Sequence, residues 1–420
     1  MANSLTSVEQ IAWEETCEEF ENANVFAENA DIYKPDSGYA ELAGQTIRIP
    51  FANQMQSSTG LDVTGNETDV IDVTTQISLG GSDIKDVYFK LNVQESLVDR
   101  RVSDSIKAGV RKISSDVSKQ IADAVIDGGA LCAGETTGLT TYSHFAKADT
   151  MLEEVEAYSM DKFLYLPPRT AMGLSNELGM RQTDNSRDHR AYGYGELPSI
   201  GDFRTYKAGS LKQVAAEAVT TVTVNGANQD SDMVAYNSNV TQTAPNNDDP
   251  KSQVLTVTNT SGSLTNGDVF SIAGVNRVGI DTKIDTGQLM TFRVLSGGGT
   301  TTPVVSPAII SSGPYQNCSA VPASGAVITA HNTVAATPTV FTTKDSVRLF
   351  CSDLNWAALN DSSSVVLDTF TTTSGIQIAF LKQGSALTGI VDYRLSVWCA
   401  PTVVDPLKCG FLLPDQTTAF

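Results

Sequence analysis

Histidine and clustered cysteine are both scarce in this chain of 420 residues. The three histidines, His144, His189 and His331, stand far apart, which is a thin supply for acid–base or metal chemistry. The cysteines are scattered singly without a CxxC spacing, whereas zinc sites and disulfide frameworks need clustered cysteines. We therefore predict thiols that are buried or incidental. The six are Cys17, Cys132, Cys318, Cys351, Cys399 and Cys409.

The usual signatures of enzymes are missing as well, since the chain has no GxxxxGK[ST] phosphate loop, no HExxH and no GxSxG elbow. Gly193-Tyr194-Gly195 begins like a dinucleotide-binding loop, but Pro198 stands where the third glycine belongs. Asp230 and Asp232 could begin a calcium loop, yet neither register has the glycine that its sixth position needs. We predict no catalytic residues, no cofactor-binding residues and no metal ligands, and therefore a protein that is not an enzyme.

Long apolar runs are absent too. No stretch approaches the ~18 residues that a membrane-spanning helix needs, so we expect no membrane span. The opening Met1-Ala2-Asn3-Ser4 has neither a basic region nor an apolar region, so no secretory signal is visible. We expect the protein to be made and folded in a cytoplasm.

Basic residues are outnumbered by acidic ones, 28 against 48, which gives a formal net charge of -20. Such a surface repels phosphate groups, whereas specific nucleic-acid readers usually carry a basic patch. The acidity is strongest around residues 5–27, a predicted short helix, and no Lys or Arg precedes Lys34. Two interpretations stay open: an ordinary solvated helix face, or an acidic arm that meets a basic partner. The carboxylates before Lys34 are Glu9, Glu14, Glu15, Glu18, Glu19, Glu21, Glu28 and Asp31.

The pattern of residues 46–99 predicts strands joined by a hairpin. Apolar residues alternate with polar ones over residues 47–51, 71–79 and 87–93, which is typical of strands with one buried face. Residues 52–70 are rich in Gln, Asn, Ser, Thr and Gly, which no core could bury. We predict that this polar hairpin reaches away from the body of the protein.

The spacing of apolar residues then becomes helical. It predicts an amphipathic helix over residues 100–127, about 40 Å long, which Gly128 and Gly129 end. The apolar stripe consists of Val102, Ile106, Val110, Ile113, Val117, Ile121 and Val125. A reaching β-arm joined to a long helix is the shape of a part that holds neighbours, rather than that of a catalytic cleft.

The second half of the chain changes in composition near residue 219. Before this point, helices are predicted over residues 150–158 and 171–178, with a strand at residues 163–166 between them. Residues 219–337 have few charges and many Thr, Val, Ser, Asn and Gly, which predicts a separate all-β barrel or sandwich inserted into another domain. Its predicted strands are residues 219–224, 254–257, 269–272, 289–294 and 304–310.

The order of these elements resembles the major capsid protein of tailed double-stranded DNA bacteriophages, the Hong Kong-97-type fold. The acidic arm, Thr46-Ile47-Arg48-Ile49-Pro50, the polar hairpin, the return strand and the long helix carry the resemblance. The ending Arg394-Leu395-Ser396-Val397-Trp398, followed by Gly410-Phe411-Leu412-Leu413-Pro414, resembles the last strands of the peripheral and axial domains. Residues 219–337 look like the insertion domain of the short-tailed-phage coat branch, and residues 267–275 are their most family-like run.

The resemblance implies an α+β fold in six parts. They are the N-terminal arm at 1–45, the E-loop and flanking strands at 46–99, the spine helix of the peripheral domain at 100–130, peripheral and axial residues at 131–218, the barrel-like insertion domain at 219–337, and axial and closing peripheral strands at 338–420. The function implied is self-assembly, in pentamers and hexamers, into an icosahedral shell. That shell encloses double-stranded DNA without binding it sequence-specifically.

The resemblance also implies partners and a location. Only 45 residues precede the hairpin, too few for the cleavable scaffolding segment of some relatives, so a separate scaffolding protein is implied. A portal protein is the other expected partner. The candidate contacts with scaffolding are Glu14, Glu15, Glu18 and Glu19 on the acidic arm. The protein is expected in the virion, after assembly in the host cytoplasm.

Two alternatives stay open at this point. Encapsulin compartments share the Hong Kong-97-type fold, although they usually lack a β-rich insertion. A β-rich surface adhesin is suggested by residues 219–337 alone, but it leaves the long helix and the missing signal peptide unexplained.

Overall fold

The structure is a computed structural model that describes residues 10–11, 13–15, 20, 25–33, 46–55, 57, 59–61, 73–78, 83–92, 95, 99–157, 161–180, 199–217, 221–234, 246–352, 365–372, 375–385 and 387–420. It is a mixture of helices and strands, as the α+β prediction requires. The predicted loop at Gly193-Tyr194-Gly195 lies outside the described residues. No helix among those described is both long enough and apolar enough to cross a membrane.

Four α-helices have defined bounds within the described ranges. They are α1 (Val25–Glu28), α2 (Asp99–Gly128), α3 (Tyr142–Glu154) and α4 (Pro168–Met180). Residues 10–11, 13–15 and 20 are also helical, in agreement with the predicted acidic helix. A 3-10 turn follows near the end of the chain at Pro406–Lys408.

Strands make up much of the rest. The first eleven are β1 (Asp31–Tyr33), β2 (Thr46–Pro50), β3 (Thr74–Ser78), β4 (Ile84–Asn92), β5 (Leu131–Gly134), β6 (Lys162–Leu166), β7 (Phe203–Lys207), β8 (Thr221–Val224), β9 (Asp232–Met233), β10 (Asn246–Asn247) and β11 (Gln253–Val254). The others are β12 (Val257–Ser261), β13 (Val269–Val278), β14 (Asp285–Ser296), β15 (Val304–Ser306), β16 (Val327–Ala330), β17 (Thr339–Thr343), β18 (Val347–Cys351), β19 (Val365–Thr371), β20 (Gln377–Ser385), β21 (Ile390–Val403) and β22 (Cys409–Leu413).

The long helix α2 is confirmed within one residue at each end. Every member of the predicted apolar stripe, from Val102 to Val125, is at most 3% exposed. The helix ends at Gly128, and the following Gly129 N–H still donates to the Val125 carbonyl at 2.8 Å. Burial of a stripe three to four residues apart is what holds so long a helix in place.

The chain divides into two compact units, of which the first comprises Met1–Ile47, Ile77–Ala122 and Arg348–Thr402. Its sheet has the order β1-β18-β21-β20-β19, and β4 pairs with β21 as well. Helix α2 packs on this sheet closely at Gly109, where an added Cβ would lie 2.5 Å from the Leu395 side chain. A larger residue at this position would require the Leu395 side chain to shift.

The second unit comprises Arg48–Gln76, Asp123–Val347 and Val403–Phe420. One of its sheets has the order β5-β22-β17-β6-β7 and packs against α3 through Phe145, Leu152 and Phe341. The prediction of a helix at residues 150–158 was wrong in its bounds, because α3 starts at Tyr142 and ends at Glu154. Phe145, Ala148 and Leu152 supply an earlier helical stripe, and Glu156 ends the helical path with a φ of +69°.

A seven-stranded sheet of the second unit has the order β11-β15-β14-β13-β16-β8-β12. Its two edge strands, β11 and β12, are separated by only Leu255 and Thr256, so the sheet must curl until its edges meet. The inside is apolar and includes Leu255, Phe270, Phe292 and Ile328. This is the barrel-like β-rich architecture that the sequence predicts.

Three details of the predicted β-rich segment were wrong. Residues 254–257 belong to two strands, because Leu255 turns into the barrel interior and separates them. The strand predicted at residues 304–310 stops at Ser306, since Pro307 has no N–H for a strand ladder. Strand β16 lies between β13 and β8 but was missed, because four residues with two buried side chains give too short an alternation.

Replacing Ile113 by Asp should destabilise the purified protein by about 3–5 kcal/mol, because the carboxylate would be buried without a partner. Urea denaturation of the soluble subunit measures this loss. The matched control is Ser115→Asp, which places the same charge on an exposed position of the same helix and should change stability by at most about 0.5 kcal/mol. Soluble, assembly-competent Ile113→Asp protein would contradict the packing of α2.

Candidate assembly elements

The acidic arm is fastened to the first unit by its aromatic residues. Trp13 is 3% exposed and its ring centroid lies 5.3 Å from that of Phe380. Phe20 is buried as well. Burying these rings fixes the described part of the arm while its polar face remains in solvent.

The candidate scaffolding contacts lie on that polar face as far as they are described. Glu14 and Glu15 are both exposed, whereas Glu18 and Glu19 lie outside the described residues. The Glu15 carboxylate is 3.1 Å from the Nζ of Lys107 on α2, so this chain itself supplies one cation to the arm. An exposed pair of this kind contributes little to stability and leaves the carboxylates accessible.

The polar hairpin begins on two paired strands, β2 and β3. Beyond them, Met55 is 59% exposed and Leu61 is fully exposed, although both are large apolar residues. Residues 62–72 of the hairpin lie outside the described part of the chain, as do Ile71 and Leu79 of the predicted alternation. The described tip therefore presents two apolar side chains on an otherwise polar segment.

The base of the hairpin is held by Asp248, a residue that the sequence analysis missed. Asp248 is 4% exposed, and its carboxylate lies 2.6 Å from the Arg48 guanidinium. The Asp248 carbonyl accepts from Thr74 N–H at 3.1 Å, and Arg48 also donates to the Thr74 hydroxyl at 3.2 Å. Since both strands are tied to one residue, the direction in which the hairpin leaves the second unit is fixed.

The chain enters and leaves the barrel through a neck formed by residues 214–217 and 332–336. Val214 and Ala336 exchange two backbone hydrogen bonds of 2.9 and 3.1 Å. Buried Asn332 then donates to the Ala215 carbonyl and to the Asp268 carboxylate, both at 2.9 Å, and accepts from Val269 N–H. The Asn332 side chain thus uses both of its N–H groups and one of the two lone pairs of its oxygen. These bonds connect the two sides of the neck with each other and with the start of β13.

Residues 290–294 of strand β14 are buried on both faces. Met290, Phe292 and Val294 fill the barrel interior, while Thr291 and Arg293 face residues 126–132. The Thr291 hydroxyl donates to the Ala130 carbonyl at 2.5 Å and accepts from Cys132 N–H at 3.3 Å. These bonds satisfy backbone groups just beyond the end of α2, where no helical partner is available.

Arg293 adds a further contact between β14 and the end of α2. We call this set of contacts, made by Thr291 and Arg293 with residues 126–132, the seam. The Arg293 guanidinium donates to the Ile126 carbonyl at 2.5 Å and lies 4.8 Å from the centre of the Phe411 ring. Complete burial lowers the pKa of Arg293, and Cys132, Asp127 and Asp268 oppose that effect. A cation suits the carbonyl end of a helix. The signal in the sequence was a lone charge inside the apolar run 289–294.

A second fastening joins the barrel to the end of α3. The Glu156 carboxylate accepts from the N–H groups of Asp281 and Thr282 at 2.6 and 2.9 Å. Nearby, buried Arg277 donates to Glu154 at 2.7 Å, and burial lowers the pKa of its guanidinium. Both acidic residues lie at the turn that ends α3, so the length of that helix positions them.

Among the described residues, one group of carboxylates comes close enough together to hold a metal ion. It consists of Asp149, Glu153 and Asp202. Lys162 already occupies the group, with its ammonium 2.7 Å from Asp149 and 2.5 Å from Glu153. Burial alone would lower the pKa of Lys162, but the bonds to Asp149 and Glu153 outweigh it and raise the pKa. Lys162 therefore offsets one of the three negative charges of this group from within the protein.

Comparison with known proteins places the chain in a family. The sequence profile described as "P22 coat protein - gene protein 5" matches residues 1–414. A solved structure from Mycobacterium phage Che8 is 10% identical with a TM-score of 0.44, covering 93% of this chain and 90% of that chain. The CUS-3 coat protein I-domain is 37% identical with a TM-score of 0.22, covering 27% of this chain and 96% of that chain. The SrpI encapsulin of Synechococcus elongatus PCC 7942 is 9% identical with a TM-score of 0.39, covering 99% of this chain and 94% of that chain.

The TM-scores are low, so the assignment rests on the family match. This chain belongs to the P22 coat protein family, which confirms the resemblance to a capsid protein of tailed bacteriophages. It is a structural major capsid protein, and its place is the phage capsid. The match over residues 1–414 favours this assignment over the encapsulin and adhesin alternatives.

Replacing Thr291 by Val should destabilise the protein by about 1–3 kcal/mol, because the Ala130 carbonyl and the Cys132 N–H would both lose a buried partner. The substitution keeps the shape of the side chain, so the loss reports the hydrogen bonds. Urea denaturation of the purified subunit measures it. Thr302→Val makes the same change at an exposed position of the barrel and serves as the control. Equal stability of the two variants would show that the Thr291 hydrogen bonds contribute nothing to stability.

Proposed function

We propose that copies of this chain assemble, as pentamers and hexamers, into an icosahedral shell around a double-stranded DNA genome. Assembly takes place in the host cytoplasm with a separate scaffolding protein, and a portal protein joins the shell. The family match is the observation that carries this proposal. The exposed hairpin tip and the exposed carboxylates of the arm add support, because each is a surface for contact with other molecules.

The net charge of -20 agrees with a container for DNA. A densely packed polyanion has to be held without adhering to the wall, so weak repulsion between wall and genome is tolerable. Binding without sequence specificity needs none of the basic readout surfaces of DNA-binding proteins.

We propose that the parts of the chain act as the resemblance implies. Residues 1–45 are the arm, 46–99 the E-loop with its strands, and 100–130 the spine. Residues 131–218 and 338–420 then form the peripheral and axial domains around an insertion domain at 219–337. The paired neck at residues 214–217 and 332–336 supports that boundary, because it brings the two ends of the insertion together.

The hairpin is proposed to bind a neighbouring subunit. Its base is rigid because Asp248 holds both strands, and its tip carries exposed Met55 and Leu61. A fixed direction combined with apolar side chains at the end favours insertion against another copy. Many such contacts, each of modest area, then sum to a closed shell.

Deleting residues 54–67 should leave a folded subunit that forms no stable shells. The reason is that the described tip has little of its own to pack on, so its loss costs contacts between subunits. Sedimentation and negative-stain microscopy measure shell formation, and far-ultraviolet circular dichroism checks the fold. Gln54 accepts from the Lys283 ammonium at 3.2 Å, so Gln54→Ala is the control for that lost contact. Normal shells from the deletion variant would overturn the role of the hairpin.

The acidic arm is proposed to bind a basic segment of the scaffolding protein through Glu14, Glu15, Glu18 and Glu19. Replacing all four by Gln should abolish scaffold-dependent assembly and leave the subunit folded. Attraction between exposed charges should also weaken as salt shortens the Debye length from about 10 Å at 0.1 M to about 3 Å at 1 M. Light scattering during assembly at several salt concentrations measures both effects.

The control for the arm is Lys107→Gln, which removes the partner of Glu15 within the chain but keeps the arm acidic. This variant should still assemble with scaffolding protein. If the quadruple Gln variant assembles at the unmodified rate with the same salt dependence, the arm is only a solvated helix face.

A further inference from the structure

Two cysteines that are 48 positions apart in sequence meet in the sheet of the first unit. Cys351 ends β18 and Cys399 lies in the neighbouring strand β21, with their sulfur atoms 2.9 Å apart. Their exposures are 2% and 1%. One residue along each strand, Ser352 N–H donates to the Trp398 carbonyl at 3.1 Å, which fixes the two backbones next to each other.

The geometry favours a covalent bond between the sulfurs over a shared metal ion. Side chains that are directly opposed on neighbouring strands have Cβ atoms about 4.5–5.5 Å apart, close to the ~3.5–4.5 Å span of a disulfide. Zinc lies about 2.3 Å from each thiolate at a tetrahedral angle, so two sulfurs that bind one ion stand further apart than these do.

Other cysteines of the described chain are placed differently. The Cys132 thiol donates to the Gly129 carbonyl, and the Cys409 thiol donates to the Asp405 carbonyl. Those thiols are buried partners of the backbone, in agreement with the sequence prediction. The thiols of Cys351 and Cys399 instead contact each other.

We propose that Cys351 and Cys399 are a modification site at which a peroxide forms an intrachain disulfide. One thiolate attacks a peroxide oxygen, which gives a sulfenic acid and releases hydroxide. The second thiol then attacks the sulfenic sulfur, forms the S–S bond and releases water. For hydrogen peroxide the net reaction oxidises two thiols and reduces one peroxide to two water molecules, so no further co-reactant is needed.

Burial sets the rate of this reaction. It raises the pKa of the Cys399 thiol, and the hydrogen bond and the proximity of Cys351 raise it further. Because the thiolate is the reactive form, oxidation is slow and requires a small oxidant that can enter the sheet. A reducing cytosol keeps both thiols reduced, so the bond forms after the particle leaves the cell. That timing rests on the proposed function, whereas the chemistry does not.

The bond would link β18 directly to β21, the strand that also pairs with β4 and β20. It would therefore lock the centre of the sheet that packs against α2.

The test treats the full-length reduced protein with hydrogen peroxide, blocks the remaining thiols with iodoacetamide under denaturing conditions, and maps the peptides by mass spectrometry. We expect a linked peptide pair containing Cys351 and Cys399, with the loss of two hydrogen atoms. The oxidised protein should melt several degrees higher than the reduced protein, and dithiothreitol should reverse the rise. Since the peptide map uses unaltered protein, the result does not depend on how any variant folds.

Cys399→Ser should lose both the linked peptide and the reversible rise in melting temperature. Cys318→Ser removes a buried thiol of the barrel and should keep both. Full alkylation of Cys351 and Cys399 after peroxide treatment would overturn the proposal, as would a linked peptide that forms only in denatured protein. Neither result depends on shells, so shell formation can fail while this inference stands, and the reverse also holds.

Discussion

The junction between the barrel and the rest of the second unit depends on the satisfaction of buried polar groups. The chain has to enter and leave an inserted sheet at one place, and the backbone there is removed from water. Asn332 joins the neck to β13, and Thr291 and Arg293 satisfy carbonyls at and beyond the end of α2. Each unmade bond of this kind would destabilise the protein by about 1–3 kcal/mol.

Helix α2 and the barrel draw their stability from different packing patterns. Helix α2 buries one stripe of aliphatic residues and approaches β21 closely at Gly109. The barrel buries its own aromatic and aliphatic interior around Phe270 and Phe292, and curls until its edges meet. The exposed side chains of the hairpin and the arm, such as Met55, Leu61, Glu14 and Glu15, belong to neither core.

Elements with a long, regular pattern could be predicted from the sequence, and those that depend on distant partners could not. The apolar stripe of α2 has seven members that follow one another at intervals of three or four residues. The position and both ends of the helix were therefore predicted almost to the residue. Strand β16 is recognisable only from its neighbours β13 and β8. Asp248 and Asn332 are ordinary polar residues in sequence, and only the fold places them against Arg48 and Ala215. The proximity of Cys351 and Cys399 has the same origin, since no spacing rule links them.

The inserted barrel carries a complete apolar core of its own. The most direct measurement is an amide nuclear magnetic resonance spectrum of residues 219–337 expressed alone. We expect dispersed amide signals from a folded fragment, because the interior around Phe270, Phe292 and Ile328 lies within it. In that fragment, Thr291 and Arg293 would face water, which satisfies their polar groups. A narrow, disordered spectrum would contradict the claim and show that the barrel depends on the seam to fold.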